Sequence, residues 1–404
     1  MKKKLLSSAL LIATTTLVAC GGSSSSNSEP KVDPKTNPAK SVQGQLTMPD
    51  GKTPLADATV YIAKDGSPTS AIMLPTAVVG VDCQEPDEEY IYAACTDAEG
   101  NFDLAVDEGL ELKELKAVKG KFKITVPITE ELDLGTISLP TDGDGVPRMA
   151  VVQGSYDNIE NVLAKTGYGE VDDDGQLKEG TAAFDIYPSG DMHDLFTVDN
   201  EILKLFSYDI VFVNCGVNEF NASPQSEEIS SALREYVANG GQLYVTDQAY
   251  DYVEQAFPEY IDFYGSDDTP INEPEVMNLA QVGQTKPNTY GEVLDPILLG
   301  ALKNMNCGES VCIEEESDAL FAIQGMLGAW AVMLAPHDGK EDDVKVWVQG
   351  EMDYASETDE LRPLTVSFKH GKGKVIYTSY HTDNSNNSKE LLPQERVLQF
   401  LVFE

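Results

Sequence analysis

At Met149 the chain changes its hydrophobic period, and that change fixes the layers it can build. From Val42 to Leu139 apolar residues alternate with polar ones. Leu55, Ala58, Val60 and Ile62 follow a Pro-Asp-Gly turn, Phe102 and Leu104 follow Asp-Ala-Glu-Gly, and Phe122, Ile124 and Val126 alternate with lysines. Period two marks strands with one buried and one wet face, so this stretch predicts a small antiparallel β-sandwich. After Met149, short apolar runs take turns with amphipathic segments. The run YDIVFVNCG, ending at Gly216, is almost continuously apolar, as a strand buried on both faces requires. The segment SPQSEEISSALREYVANGG predicts a helix with acids in its first turn. Its buried face is Ile229, Leu233, Tyr236 and Val237, and its stop is Asn239-Gly240. The strand QLYVTD and the helical pattern AYDYVEQAF repeat the unit. Such repetition predicts an α/β layer with a doubly wound, mostly parallel sheet. Further helices are expected over Tyr156 to Lys165, within Met192 to Phe206, near Leu294 to Lys303 and over Gln394 to Phe403, with VKVWVQG, LTVSFKHG and KVIYTSYH as closing strands.

The N-terminus carries three lysines, an apolar run from Leu5 to Val18, and then Leu17-Val18-Ala19-Cys20. A basic start, a short apolar core and small residues at its end form a secretory signal, too short to cross a bilayer. Leu-Val-Ala-Cys resembles the bacterial lipobox. That resemblance implies cleavage after Ala19 and lipidation of Cys20, with diacylglycerol and an amide-linked acyl chain. A conventionally secreted protein cut nearby is the alternative. Several acyl chains hold a protein on a membrane where one would let go. The Ser- and Pro-rich stretch that follows reads as a disordered tether over residues 20–41. Gly21, with no aspartate after the cysteine, resembles the outer-membrane-sorted class of lipoproteins. The expectation is a bacterial envelope protein, lipid-anchored in the outer membrane.

Composition supports a folded extracytoplasmic body. The 404 residues are 41% hydrophobic and 24% charged, with a formal charge of -40. Loss of residues 1–19 leaves 25 basic against 68 acidic residues, or -43. Such a surface repels nucleic acid, which is excluded as a partner. Of six cysteines, Cys83 and Cys95 flank a short segment, as do Cys307 and Cys312, so two local disulfides are the economical assignment. Neither pair has the CxxC spacing of a zinc site. The acidic clusters Asp172-Asp173-Asp174, Glu314-Glu315-Glu316 and Glu341-Asp342-Asp343 lack the alternating frame of a calcium loop and read as solvated. TDGDGVPR, residues 141–148, reads as a linker. Asp142 and Asp144 offer calcium too few fixed oxygens to prefer it over a plain turn. No cofactor is implied.

Gly44, Pro54, Leu55, Ala58, Val60, Thr96, Asp97, Gly100, Phe102 and Leu104 follow a recognisable frame. Residues 42–140 thereby resemble a carboxypeptidase regulatory-like, transthyretin-like β-sandwich, with the Cys83–Cys95 excursion as an insertion. The resemblance implies a spacer or binding platform without catalytic residues. Residues 149–404 carry L-x-x-YV-x-x-GG-x-L-x-V-x-D and G-x-GKV-x-YTS-x-H. These resemble the class I glutamine amidotransferase-like superfamily, nearest its trehalose-utilisation-like branch.

In open α/β sheets ligands bind beyond the carboxyl ends of the strands. Asn214-Cys215-Gly216, Thr246-Asp247-Gln248 and His381-Thr382-Asp383 are expected there, and Asn214, Gly216, Asp247, Gln248 and His381 are the candidate ligand-binding residues. The superfamily places a cysteine on a strained strand-to-helix elbow, with a histidine and an acid near the C-terminus. His381 and Asp383 can stand for the latter two. The elbow itself is Asp247, which cannot form a thioester, and the Gly-x-Cys-x-Gly frame is absent. Cys215 ends a different strand with no helix starting directly after it, so it reads either as an inert buried thiol or as a site residue. Asp247 reads either as a site residue or as the cap of the following helix. His193, His337 and His370 carry no spacing signal. The expectation is a non-catalytic module that binds a small ligand or an envelope protein. The alternative is a hydrolase using Cys215 or Asp247 with His381 and Asp383.

Overall fold

The computed structural model describes residues 40–64, 83–108, 110–219, 222–286, 289–308, 310–313, 318–382 and 388–404. The signal segment, Cys20, the tether up to Ala39, Glu314-Glu315-Glu316 and Asp383 lie outside the described residues. No helix among the described residues is long and apolar enough to cross a membrane.

Seven strands form the N-terminal part. They are β1 (Lys40–Thr47), β2 (Thr59–Ala63), β3 (Tyr90–Cys95), β4 (Asn101–Val106), β5 (Glu114–Lys119), β6 (Phe122–Pro127) and β7 (Asp133–Ser138). One sheet has the order β4-β1-β7 and the other β3-β2-β5-β6. The first strand starts at Lys40, inside the stretch read as tether. Pairing is antiparallel except that β7 runs parallel to β1. The chain leaves β6 in one sheet and enters β7 in the other, and such a crossover does not oblige antiparallel pairing. The Thr96-Asp97 signature is explained by the turn it builds. The Thr96 hydroxyl donates to the Leu55 carbonyl and accepts from the Ala58 amide, and Asp97 accepts from the amides of Glu99 and Asn101. Both expected disulfides are formed, Cys83 to Cys95 and Cys307 to Cys312.

The second part is a mixed α/β layer around a nine-stranded sheet. Its strands are β8 (Met149–Val152), β9 (Asp185–Tyr187), β10 (Ile210–Val213), β11 (Gln242–Thr246), β12 (Thr289–Val293), β13 (Leu320–Ile323), β14 (Val344–Tyr354), β15 (Glu357–His370) and β16 (Gly373–Thr378). Their spatial order is β13-β12-β14-β15-β16-β11-β10-β8-β9. The half from β16 to β9 is parallel. The half from β13 to β16 is antiparallel. The sheet is therefore not mostly parallel, and the reason is loop length. Two residues join β14 to β15 and two join β15 to β16, far short of the dozen or so a parallel crossover needs.

The helices are α1 (Ile159–Leu163), α2 (Glu227–Ala238), α3 (Asp251–Glu254), α4 (Pro296–Lys303) and α5 (Pro393–Val402). Three expected helices are shorter, that over AYDYVEQAF shrinking to α3 behind a 3-10 turn at Asp247–Tyr250. The one at Tyr156 to Lys165 shrinks to α1 and a wider turn broken at Gly167, whose φ is +111°. The one within Met192 to Phe206 is replaced by 3-10 turns at Ser189–Phe196 and Lys204–Ser207. Strand residues alternate between two cores: Met149, Val151, Ile210, Phe212 and Tyr244 face one, while Ala150, Val152, Val211, Val213 and Leu243 face the other.

The sandwich and the α/β layer belong to one compact unit from Ala39 to Glu404, and the first core runs through both. Phe122 of β6 packs its ring 4.5 Å from that of Phe403 and 5.8 Å from that of Tyr168. Arg396 of α5 donates to Thr53 of the sandwich, and Asn304 donates to Glu99. Deleting a fully buried ring of this kind costs about 3–5 kcal/mol. Phe122→Ala should lower stability on that scale while thermal unfolding stays a single transition. Two separate transitions in calorimetry of the wild type would show that the parts unfold independently.

Candidate functional site

The carboxyl ends of β8, β10, β11 and β16 lie side by side, because these strands are parallel and in register. They bring Cys215, Asp247 and His381 together. A sulfur, a carboxylate oxygen and a ring nitrogen of the three lie within 4.8 Å of one another. Asp247 follows β11 directly and has a φ of +42°, in the left-handed region that costs a non-glycine residue roughly 1–2 kcal/mol. It occupies a strained strand-to-helix elbow. Thr246, not Asp247, holds the cap position of the following 3-10 turn, so the capping role is not taken.

Every oxygen of Asp247 is engaged. The Ala331 amide donates to Oδ1 at 3.0 Å, and the Tyr377 hydroxyl donates to its main-chain carbonyl at 3.0 Å. The Cys215 thiol donates to Oδ2 at 3.4 Å, and His381 Nδ1 lies 3.5 Å from the same oxygen. Gln248 donates to the carbonyl of Ala329, so the segment before β14 is fastened over the elbow at two points. Cys215 is 1%, Asp247 3% and His381 6% exposed. Burial, and then the charge of Asp247, push the Cys215 thiol far above its ordinary range. A thiol held protonated this way is a hydrogen-bond donor, not an attacking thiolate. Three ligand types this close could hold a divalent ion. Asp142 and Asp144 belong to no cluster of three ligating side chains among the described residues.

The crevice between β8 and β10 is where an open sheet of this strand order would take its ligand. In the parallel half, chain order reads second, first, third, fourth, fifth across the sheet, and the order reverses there. Main-chain bonds bridge it: the amides of Ser155 and Tyr156 donate to the carbonyls of Gly216 and Cys215. A Cβ on Gly154 would lie 2.0 Å from the Cys215 carbonyl oxygen. Asn214 is fully buried beneath, donating to Glu160 Oε2 at 3.0 Å, and Gly216 turns at φ +79° against the Tyr156 ring.

Asp157 was not singled out from the sequence, yet it ties these strand ends together. It is fully buried in the loop after β8. Oδ1 accepts from the amides of Asn158 and Thr382 and from the Thr382 hydroxyl, and Oδ2 accepts from the Thr246 hydroxyl. Thr246 in turn accepts from the Cys215 amide. The only signal was an acid where a strand-end loop enters a helix, which is too common to stand out.

Behind the elbow, α3 carries two buried acids. Asp251 accepts from the Asn278 amide and Glu254 from the Glu275 amide. Burial pushes Asp251 up to about 6 and Glu254 up to about 8.

Sequence comparison identifies no known family for this chain, and no curated protein matches it. Solved structures resemble it only distantly. A cytoplasmic protein from Salmonella typhimurium aligns at TM-score 0.36 and 12% identity, covering 64% of this chain and 98% of its own. The PurLQS structure from Thermotoga maritima gives 0.33 and 12%, covering 63% and 97%. A β-galactosidase from Bacillus circulans sp. alkalophilus gives 0.31 and 12%, covering 63% of this chain but 30% of its own. Likenesses this slight carry no functional information.

Two outcomes follow. Asp157→Ala strands several buried donors and should destabilise the chain by about 3 kcal/mol or more, read by urea denaturation. Raised folded-state values at Asp251 and Glu254 mean that the folded chain binds protons more tightly than the unfolded one. Their contribution is complete below about pH 4 and is lost as pH rises towards 8. The melting temperature should therefore fall between pH 5 and pH 8, and Glu254→Gln should flatten that fall.

Proposed function

We propose that this chain is a lipid-anchored protein of the bacterial envelope whose folded body recognises a ligand or partner and does not catalyse acyl transfer. The lipobox-like Leu-Val-Ala-Cys supports the anchor on Cys20 and the outer-membrane address. The resemblance of residues 149–404 to the class I glutamine amidotransferase-like superfamily finds support in the strand order of the parallel half and in the left-handed residue that follows β11. One observation carries the non-catalytic reading. The elbow residue is a carboxylate whose oxygens are occupied by the protein's own donors, under a segment fastened over it. A nucleophile needs an approach and an activated atom, and neither Asp247 nor Cys215 has both.

The close donor set of Cys215, Asp247 and His381 favours a second reading, metal-assisted hydrolysis. A single preparation separates the two. The full chain, produced in a diderm bacterium fed labelled palmitate, should incorporate label that Cys20→Ser abolishes. Its purified soluble body should contain no stoichiometric zinc, and thiol- and serine-directed activity probes should leave it unlabelled. Labelling of Cys215 that disappears in His381→Ala would overturn the non-catalytic reading. So would bound zinc with ester or amide turnover lost in Asp247→Asn at unchanged melting temperature.

A further inference from the structure

At the end of the parallel strands remote from Asp247 lies a cavity of ≈ 740 Å³ between the sandwich and the α/β layer. Two hairpin turns border it: Gly120-Lys121 between β5 and β6, and Gly371-Lys372 between β15 and β16. Both glycines have positive φ, and a Cβ on either would strike main-chain oxygen, at Phe403 and Ala238 respectively, so the turns sit close against the body. The lining includes six lysines, Lys119, Lys121, Lys123, Lys369, Lys372 and Lys374. The whole chain has 28 basic residues and a charge of -40, so six lysines on one lining are a local concentration of that residue.

Five acids, Asp57, Glu85, Asp87, Asp209 and Glu404, share the lining, so the six lysines leave a small positive excess. Asp57 and Glu404 hold Lys119, and Asp87 holds Lys123. Lys121 and Lys374 donate to main-chain oxygens of Gly240 and Glu404. Lys369 and Lys372 are exposed and form no ion pair among the described residues. Glu85 accepts from the Tyr90 hydroxyl and Asp209 from the Arg148 amide, and Asp209 also acts on Lys121, so the excess charge falls to Lys369 and Lys372. Burial, opposed by Glu404 and reinforced by Lys119 and Lys369, pushes Lys374 down to about 8. Gln242 lines the same cavity at 3% exposure, and its side-chain nitrogen is buried without a hydrogen-bond partner among the described residues. A buried donor left unmatched is costly.

We propose that this cavity binds a small anion bearing two or more phosphate or carboxylate groups. Its volume falls within the range of small-molecule sites. Lysines, with no arginine among them, supply point charges that suit several anionic groups at different angles over one planar fork. The site is independent of the elbow. Gln242 opens β11 and Asp247 follows its end, which at strand rise separates them by roughly 16 Å.

Calorimetry on the full chain at fixed moderate salt tests this with pyrophosphate, citrate and acetate. Pyrophosphate or citrate should bind at least about tenfold more tightly than acetate, and whichever of the two is preferred names the group recognised. Lys369 and Lys372 are exposed, so the double variant Lys369→Gln/Lys372→Gln should keep its melting temperature while losing about tenfold in affinity. No heat with either multivalent anion at millimolar concentration overturns the proposal. Equal affinity in wild type and double variant overturns it as well. Neither failure touches the reading of Asp247, which is tested by other probes.

Discussion

The apolar seam between the sandwich and the α/β layer is the contact on which the molecule's organisation depends. Phe122 enters it from β6, Phe403 from the end of α5 and Tyr168 from the broken turn after α1. All three are fully buried, and the seam's edge is closed by Lys119, which lies 5.4 Å from the Phe400 ring and is paired to Asp57 and Glu404. A buried ammonium is tolerable only with such partners. The seam converts two sequence-distinct parts into one body and brings two lysine-bearing hairpin turns to a common space.

The parts of the fold set by local pattern were legible, and the parts set by distant pairing were not. The run before Asn214 and the amphipathic pattern of α2 announced themselves, since burial on both faces and amphipathic period leave direct marks. The closing strands were visible as strands, but their direction depended on counting two-residue connections that the Gly-Lys-Gly signal at residues 371–373 only partly reveals. At the strand ends, the sequence supplied Cys215, Asp247 and His381 because their types are chemically loud. It could not supply Asp157, whose partners stand 89 and 225 residues away. Nor could it show the segment around Ala329 and Ala331, which reaches Gln248 and Asp247 through main-chain groups that any residue possesses.

The elbow illustrates how surrounding donors can hold a residue in a strained conformation. Asp247 takes the left-handed turn, and the surrounding donors compensate the strain, Ala331 and Cys215 fixing its carboxylate and Tyr377 its main-chain carbonyl. Its histidine neighbour, the protonated thiol and the Asp157 hub make this end of the sheet a stabilising knot of polar groups. Low dielectric makes an unmatched member of such a network expensive, and Asn214 Oδ1 is buried without a partner among the described residues.

The lysine-rich cavity sits inside a strongly anionic envelope of charge, and the two fields act over different ranges. A multivalent anion far from the surface meets net repulsion from the whole chain, whereas one within the cavity meets lysines at contact distance. Mobile ions screen beyond about 10 Å at 0.1 M, which weakens the long-range repulsion more than the short-range attraction. Added salt therefore speeds arrival even as it loosens grip. Capture by this cavity would respond to ionic strength with a maximum, unlike the monotonic decline expected of a basic protein.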